Sequence, residues 1–306
     1  MSFLSPRFPT ALAAKGRLGA NRWLLLRRLS QFGILGLFLL GPLAGLWLVK
    51  GNLSYSLTLD TLPLADPLLV LQVLFSGHRP EGMALLGAAI VLAFYLLVGG
   101  RVYCSWVCPM NLVTDLAGWL RERLGLKGSA HISRRSRYWI LGLTLLLPLA
   151  GAGLAWELIN PVSMLHRGLI FGLGAAWTVV LAIFLLDLLI MSRGWCGHLC
   201  PVGAFYGLLG RTSLLRVSAR RRQECDDCMD CFAACPEPQV IRPALKGEAN
   251  GTGPVILASA CTNCGRCIDV CAKDVFVFGS RFNQHTQRCA PAGEAEGQTD
   301  HRKTIH

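Results

Sequence analysis

Cys225-Asp226-Asp227-Cys228-Met229-Asp230-Cys231-Phe232-Ala233-Ala234-Cys235-Pro236 is answered further on by Cys261-Thr262-Asn263-Cys264-Gly265-Arg266-Cys267-Ile268-Asp269-Val270-Cys271. Each run sets three cysteines in a tight C-x2-C-x2-C loop, with a fourth close behind. A cubic iron-sulfur cluster needs four converging thiolates, and in two-cluster ferredoxins the last cysteine of each run crosses to the other cluster. On that pattern one 4Fe-4S cluster takes Cys225, Cys228, Cys231 and Cys271, and the second takes Cys261, Cys264, Cys267 and Cys235. Zinc sites are built instead from separated C-x2-C pairs. Ala272 stands where the second run would ordinarily carry proline. The interval between the runs is longer than a compact ferredoxin needs, so Glu237 to Leu257, with Gly247, Gly251 and Gly253, reads as a surface insertion.

Outward from these runs the composition changes character. Of 306 residues, 53% are hydrophobic and only 16% charged, a balance foreign to ordinary soluble domains. Charge is absent from Leu29 to Val49, Met83 to Gly100, Tyr138 to Trp156 and Leu169 to Leu186. Each stretch approaches the roughly 20 residues a helix needs to cross a bilayer core, and internal Gly and Pro are tolerated in such helices. The expected fold class is a membrane α-helical domain of four transmembrane helices followed by a C-terminal two-cluster ferredoxin-like α+β domain. The expected boundaries are a basic cytoplasmic arm at 1–28, the membrane domain at 29–215, the ferredoxin-like domain at 216–289 and a disordered tail at 290–306. Leu62 to Phe75, broken by Pro63, Asp66 and Pro67, reads as a re-entrant or interfacial segment.

The net charge of +12 raises the question of nucleic acid, and the placement of the 30 basic residues answers it. Six lie in the arm up to Arg28, seven between Arg101 and Arg137, and 14 from Arg193 onward, against three (Lys50, Arg79 and Arg167) in the other two loops. That asymmetry puts both termini and the middle loop in the cytoplasm; it is topology, and no nucleic-acid partner follows from it. Arg27-Arg28 flanks a retained anchor rather than a cleaved signal, and Arg220-Arg221-Arg222 reads as a solvated linker near anionic headgroups. A reducing compartment also disfavours a disulfide framework for the 13 cysteines. Cys289, outside every motif, is an ordinary thiol.

A second cysteine pattern repeats within the membrane domain. Arg101-x-Tyr103-Cys104-x3-Cys108-Pro109 returns as Arg193-x-Trp195-Cys196-x3-Cys200-Pro201, and the match extends from Leu116 and Gly118 to Leu208 and Gly210. Two helix pairs would then be parallel repeats about an axis along the membrane normal, bringing both motifs to the cytoplasmic face. Cysteines at i and i+4 share a helix face, so Cys104, Cys108, Cys196 and Cys200 can hold a shared cluster or another metal, or act as dithiols. His198 has Trp106 as its counterpart, which speaks against a symmetric site using histidine.

Together these features resemble the NapH-type ferredoxin-like membrane subunit of periplasmic nitrate reductase systems; Asn160-Pro161-Val162-Ser163-Met164-Leu165-His166-Arg167 and Asp66-Pro67-Leu68-Leu69 are similar to that family as well. The resemblance implies the electron-transfer subunit of a quinol dehydrogenase in the bacterial cytoplasmic (inner) membrane, multi-pass. Its implied partners are the quinone pool, a periplasmic iron-sulfur subunit of NapG type, and a membrane or periplasmic cytochrome c leading to nitrate reductase. An alternative is a polyferredoxin-type accessory or metal-reductase factor in copper-enzyme (oxidase or nitrous oxide reductase) maturation; a third is a scaffold with structural clusters. Ionisable groups at membrane depth are candidates for the quinol site: Glu157 and His166, with Asn160 between them, and more weakly Asp66. Asp187 is expected to pair with a basic neighbour. No paired intramembrane histidines suggest haem, so a partner, or quinol itself, must carry electrons across.

Overall fold

The computed structural model describes residues 8–126, 130, 132–151, 153–172 and 174–282; Cys289 and the tail from 290 lie outside them. The chain begins with helix α1 (Pro9–Gly19) and the long apolar α2 (Arg22–Ala44). A three-stranded antiparallel meander follows: β1 (Val49–Gly51), β2 (Tyr55–Thr58) and β3 (Leu62–Ala65). Helix α3 (Pro67–Phe75) folds back against α4 (Gly82–Val98). Next come α5 (Met110–Arg123), α6 (Ser136–Leu149), α7 (Ala155–Ile159), α8 (Pro161–Phe171), α9 (Ala175–Leu185) and α10 (Pro201–Leu209).

The four apolar stretches do not become four helices of equal length. Among the described residues only α2, at 23 residues, is long and apolar enough to cross a membrane by itself; the other stretches contain shorter apolar helices. The expected third span ends at Leu149, with Gly151 and Gly153 at positive φ beyond it. The expected fourth is cut in two at Gly172 (φ 84°). Glycine and proline that hydropathy alone passes over are what stop these helices. The segment Leu62 to Phe75 takes the form of β3 and α3, whose Asp66 caps the helix by accepting from the Leu68 amide at 3.2 Å.

The C-terminal domain is built on β4 (Leu215–Ser218), antiparallel to β5 (Val277–Ser280) in the register Leu215↔Ser280. Short helices α11 (Asp230–Ala234) and α13 (Arg266–Val270) follow the two cysteine loops and pack together. Much of the interval expected as a surface insertion is core instead, with 248–252 exposed. Helix α12 (Ile241–Lys246) carries buried Ile241, Ala244 and Leu245 at helical spacing, and with Val240 and Ile256 they pack against Val217, Val270, Val275 and Phe276. Beyond the helix, the Ala219 amide donates to Pro254 O and the Ile256 amide to Val217 O, so the segment lengthens the sheet. The glycines had suggested a loop; the apolar periodicity beside them decided the packing.

The basic arm is folded as well over its described residues, 8–28. Lys15 donates to Ile268 O at 2.8 Å, and the Asp269 carboxylate accepts from the Trp23 and Leu24 amides at 3.0 and 3.1 Å. Asn21, in the capping position of α2, makes no side-chain cap; a carboxylate from the far end of the chain does so, where the helix dipole favours negative charge.

Candidate metal centres

The two cysteine runs fold alike. In the first loop Asp227 (φ 60°) and Met229 (φ 62°) are left-handed, and in the second Asn263 (φ 48°) and Gly265 (φ 73°) take the same conformation at the same places. Left-handed non-glycine residues are uncommon, and alternation with right-handed residues turns successive amides into a concavity suited to an anionic group, as at many Fe–S sites. Gly265 is required twice over, since a Cβ there would lie 2.5 Å from the Trp23 ring.

Cys225, Cys228, Cys231 and Cys271 line one cavity, so the last cysteine of the second run faces the first loop. Cys235 in turn lies within electrostatic reach of Cys264 and Cys261, as Cys267 does of Cys264, Cys235 and Cys261. Burial first, and then Cys271, Cys225 and Cys228 nearby, push the Cys231 thiol up to about 12. Neutral thiols are poor ligands, and a cation at their centre is what reverses that cost. Among the described residues no three His, Cys, Asp or Glu side chains converge as a single metal ion requires. Four thiols lining one cavity form the all-sulfur donor set that a 4Fe-4S cluster takes.

The second loop rests directly on the first C-x3-C-P motif. Ser105 Oγ donates to Thr262 O at 2.8 Å, Trp106 Nε1 to Asn263 O at 3.2 Å, and Arg101 Nη1 to Ala260 O at 2.8 Å. Arg101 also reaches Glu237 Oε1 at 3.0 Å and, through Nη2, the Cys196 carbonyl at 3.1 Å. One buried guanidinium thus joins both repeats to the ferredoxin-like domain. Burial raises the Glu237 carboxyl, but Arg101, the Gln239 amide and Arg134 outweigh it and hold the group below the usual carboxylate range. Cys104, Cys196 and Cys264 line one cleft with Arg101 and Glu237.

Both C-x3-C motifs are π turns, Tyr103–Val107 and Trp195–Leu199, rather than the α-helical turns that i, i+4 spacing implied. The Cys108 amide donates to Tyr103 O at 3.0 Å and the Cys200 amide to Trp195 O at 2.9 Å. Pro109 and Pro201 explain the difference: the residue before proline is pushed out of the helical region, and Cys108 and Cys200 are both extended, with ψ of 118° and 114°. Cys104, Cys108, Cys196 and Cys200 nevertheless line a single cavity, together with Tyr103 and Trp195. Asp187 has no ion-pair partner among the described residues; its Oδ1 accepts from the Trp195 amide at 3.0 Å and so holds the second π turn.

The same 4Fe-4S binding domain family matches residues 81–127 and again 173–222, and a 4Fe-4S dicluster domain family matches 224–275. The first pair restates the internal repeat. The methylamine utilization ferredoxin-type protein MauN of Methylorubrum extorquens is 55% identical over 281 residues, covering 92% of this chain and 97% of its own. The ferredoxin-type protein NapH of Haemophilus influenzae is 52% identical over 86% of this chain and 92% of its own, and that of Escherichia coli 50% identical over 89% and 94%. The chain belongs to the NapH/MauN family of ferredoxin-type proteins. It is accordingly an iron-sulfur electron-transfer protein. No solved structure matches it.

Within this family member the candidate quinol residues fall in different places. Glu157 is fully engaged: Ser54 Oγ reaches Oε1 at 3.2 Å, Ser163 Oγ donates to the same oxygen, and Asn160 Nδ2 donates to Oε2 at 3.0 Å. His166 is buried, packs edge-on against Phe38 at 5.7 Å, and leaves Nε2 without a partner. Neither lines the large apolar cavity between α2, α4 and the sheet; Asp66 does. Sequence reasoning missed Arg101 and Glu237 as the joint between domains, although Arg101 recurs as Arg193 in the motif and Glu237 directly follows Cys235-Pro236.

Proposed function

We propose that this chain is the membrane subunit of a quinol dehydrogenase, passing electrons from quinol through iron-sulfur centres toward a periplasmic nitrate reductase. The observation carrying this reading is the stacking of redox-type sites: the second ferredoxin loop sits on the π turn of Cys104, and that turn shares a cavity with the cysteines of the other repeat. Two 4Fe-4S clusters would be held by Cys225, Cys228, Cys231 and Cys271, and by Cys261, Cys264, Cys267 and Cys235. A cluster bound at either set would supply one-electron redox chemistry. The chain's own contribution is to hold the thiols, all but exposed Cys228 at least partly buried, aim loop amides at them, and lock the second loop to the helix ends through Ser105, Trp106 and Arg101. Cys104, Cys108, Cys196 and Cys200 stand next in line as a third redox site.

We read four membrane passes in α2, α4, α6 and α9 with its continuation to Ile190, a reading that the surfaces of α2, α4 and α6 support. Leu29, Phe32, Leu86, Phe94, Trp139 and Leu146 are all more than half exposed on these helices, a belt that water would not tolerate on a monomer. Both termini and the loop 101–137 then face the cytoplasm. Partners of NapG and cytochrome c type would complete the path outward. The MauN relatives favour a second reading, in which the same subunit serves methylamine utilization.

Anaerobically purified protein is expected to contain iron and acid-labile sulfide, and decylquinol is expected to bleach its visible absorbance. Cys104→Ser and Cys196→Ser should slow that bleaching while leaving the iron content of the ferredoxin-like domain in place. Protein without iron and sulfide, or clusters that quinol never reduces, would overturn the reading. Deletion from the native host, followed by growth on nitrate and on methylamine, separates the two pathways.

A further inference from the structure

The cavity between α2, α4 and the sheet measures about 440 Å³, within the range of small-molecule sites. Its walls are largely apolar: Ile34, Leu37, Phe38, Ile90, Val91 and Phe94 among others. Leu37 and Phe94 line it and are also 41% and 52% exposed on the outer surface, so the mouth opens onto the apolar belt. Polar groups are few, and they converge. Asp66 Oδ1 accepts from the Leu68 amide at 3.2 Å and from the Tyr206 hydroxyl at 3.3 Å, which leaves Oδ2 unengaged among the described hydrogen bonds.

Tyr206 in turn is stacked on Tyr103 at 4.9 Å, with Tyr95 edge-on at 5.0 Å. Tyr103 lines this cavity and the four-cysteine cavity alike, and it directly precedes Cys104. An apolar pocket open to lipid, with one free carboxylate oxygen and an aromatic wall shared with a thiol cluster, has the chemistry of a prenylated aromatic diol. Glu157 lacks that freedom, since both its oxygens are already taken.

We propose that this cavity binds the quinol headgroup, with a ring hydroxyl donating to Asp66 Oδ2 and Tyr103 standing between the bound ring and the four cysteines. The proposal rests on the quinol reading above and names its site.

The test uses full-length protein, purified without oxygen and held in lipid nanodiscs, with an azidoquinone photolabel competed by decylquinol. Labelled peptides are expected to carry Leu37, Phe94 or Tyr206. Asp66→Asn should weaken decylquinol competition about tenfold, the loss of one hydrogen bond to a charged group. Val91→Trp, which fills the cavity, should abolish labelling. The visible cluster spectrum checks that each variant folds, and Asp66→Asn decides alone if Val91→Trp does not. Saturable label on the Glu157 or His166 peptides, or competition unchanged in Asp66→Asn, overturns this site but leaves the quinol reading standing. The same holds if decylquinol reduces the clusters with no saturable label. Absence of both saturable label and cluster reduction sinks the site and the quinol reading together.

Discussion

The two C-x3-C-P repeats share a backbone and differ in everything that touches it. Both are π turns closed by the cysteine before proline. Around the first, Arg101 is 3% exposed and bonded to Glu237, Ala260 and Cys196, and Ser105 and Trp106 grip the second ferredoxin loop. Around the second, Arg193 is at φ 55° and meets Asp115 only at 3.9 Å, and His198 stands where the first repeat has Trp106. Tyr95 and Asp187, equivalent by the repeat, divide in the same way: one joins the tyrosine cluster, the other holds a backbone amide. Duplication supplied four facing thiols; divergence made one motif the docking platform and left the other a supporting turn.

The sharpest way to break this comparison is to remove the two arginines separately. Arg101→Leu takes the closest of three arginines from buried Glu237, leaving Arg134 at 3.2 Å and Arg137 at 3.8 Å, and it cuts the link between domains. Breaking a buried pair costs about 3–5 kcal/mol, so thermal unfolding in detergent should drop steeply, with loss of visible cluster absorbance. Arg193→Ala should cost less, about 1 kcal/mol, because its half-buried pair with Asp115 is long and that carboxylate keeps Arg27 and Arg28. Equal effects would mean that the repeats are not functionally asymmetric. Replacing Glu237 by Leu in the Arg101→Leu background should deepen the loss, because Arg134 and buried Arg137 then lose their carboxylate as well.

A smaller effect sharpens the docking contrast. Ser105→Ala removes a buried hydroxyl that donates to Thr262 O, and Trp106→Phe removes the indole donor to Asn263 O. Each should cost about 1 kcal/mol and speed protease cleavage between the domains. His198→Phe, on the equivalent position, breaks no bond to that loop, since Nδ1 has no partner and the ring's hydrogen bond is to the Arg193 backbone of its own repeat; its effect on docking should stay below that of Trp106→Phe. A His198 variant as damaging as Trp106→Phe would erase the distinction between the repeats.

How far these features could be read beforehand depended on whether the signal was local. The cysteine runs declared the ferredoxin-like loops, because ligand spacing is a property of a few adjacent residues. The repeat was equally legible, residue against residue. Helix ends were not: Gly172 and Gly151 stop helices that hydropathy continues, and Pro109 and Pro201 convert an α turn into a π turn. In the interval between the runs, Gly247, Gly251 and Gly253 read as a loop, while the apolar spacing of Val240, Ile241, Ala244 and Leu245 beside them fills the core. Least legible were the long-range partners. Nothing near Trp23 announces that Asp269 will cap its helix, and nothing near Arg101 names Glu237.

Asp115 provides the finest probe of the second repeat, because it ties that repeat to the N-terminal helix. Its carboxylate meets Arg28 at 2.5 Å, Arg27 at 3.4 Å and Arg193 at 3.9 Å. Burial would raise its pKa, but Arg193, Arg27 and Arg28 outweigh burial and hold it below the ordinary value. A carboxylate depressed in the folded state stabilises fully above its unfolded pKa, near 3.9, and that stability is lost as pH falls through the folded value. Asp115→Asn removes the charge at every pH. The gap in melting temperature between the wild type and Asp115→Asn should therefore be widest at neutral pH and close on acidification below about 4. Acid damage to the clusters strikes both proteins and cancels in the difference. A gap that stays constant down to pH 3 would mean that the three arginines are held by packing, and that the second repeat needs no charge to stay anchored.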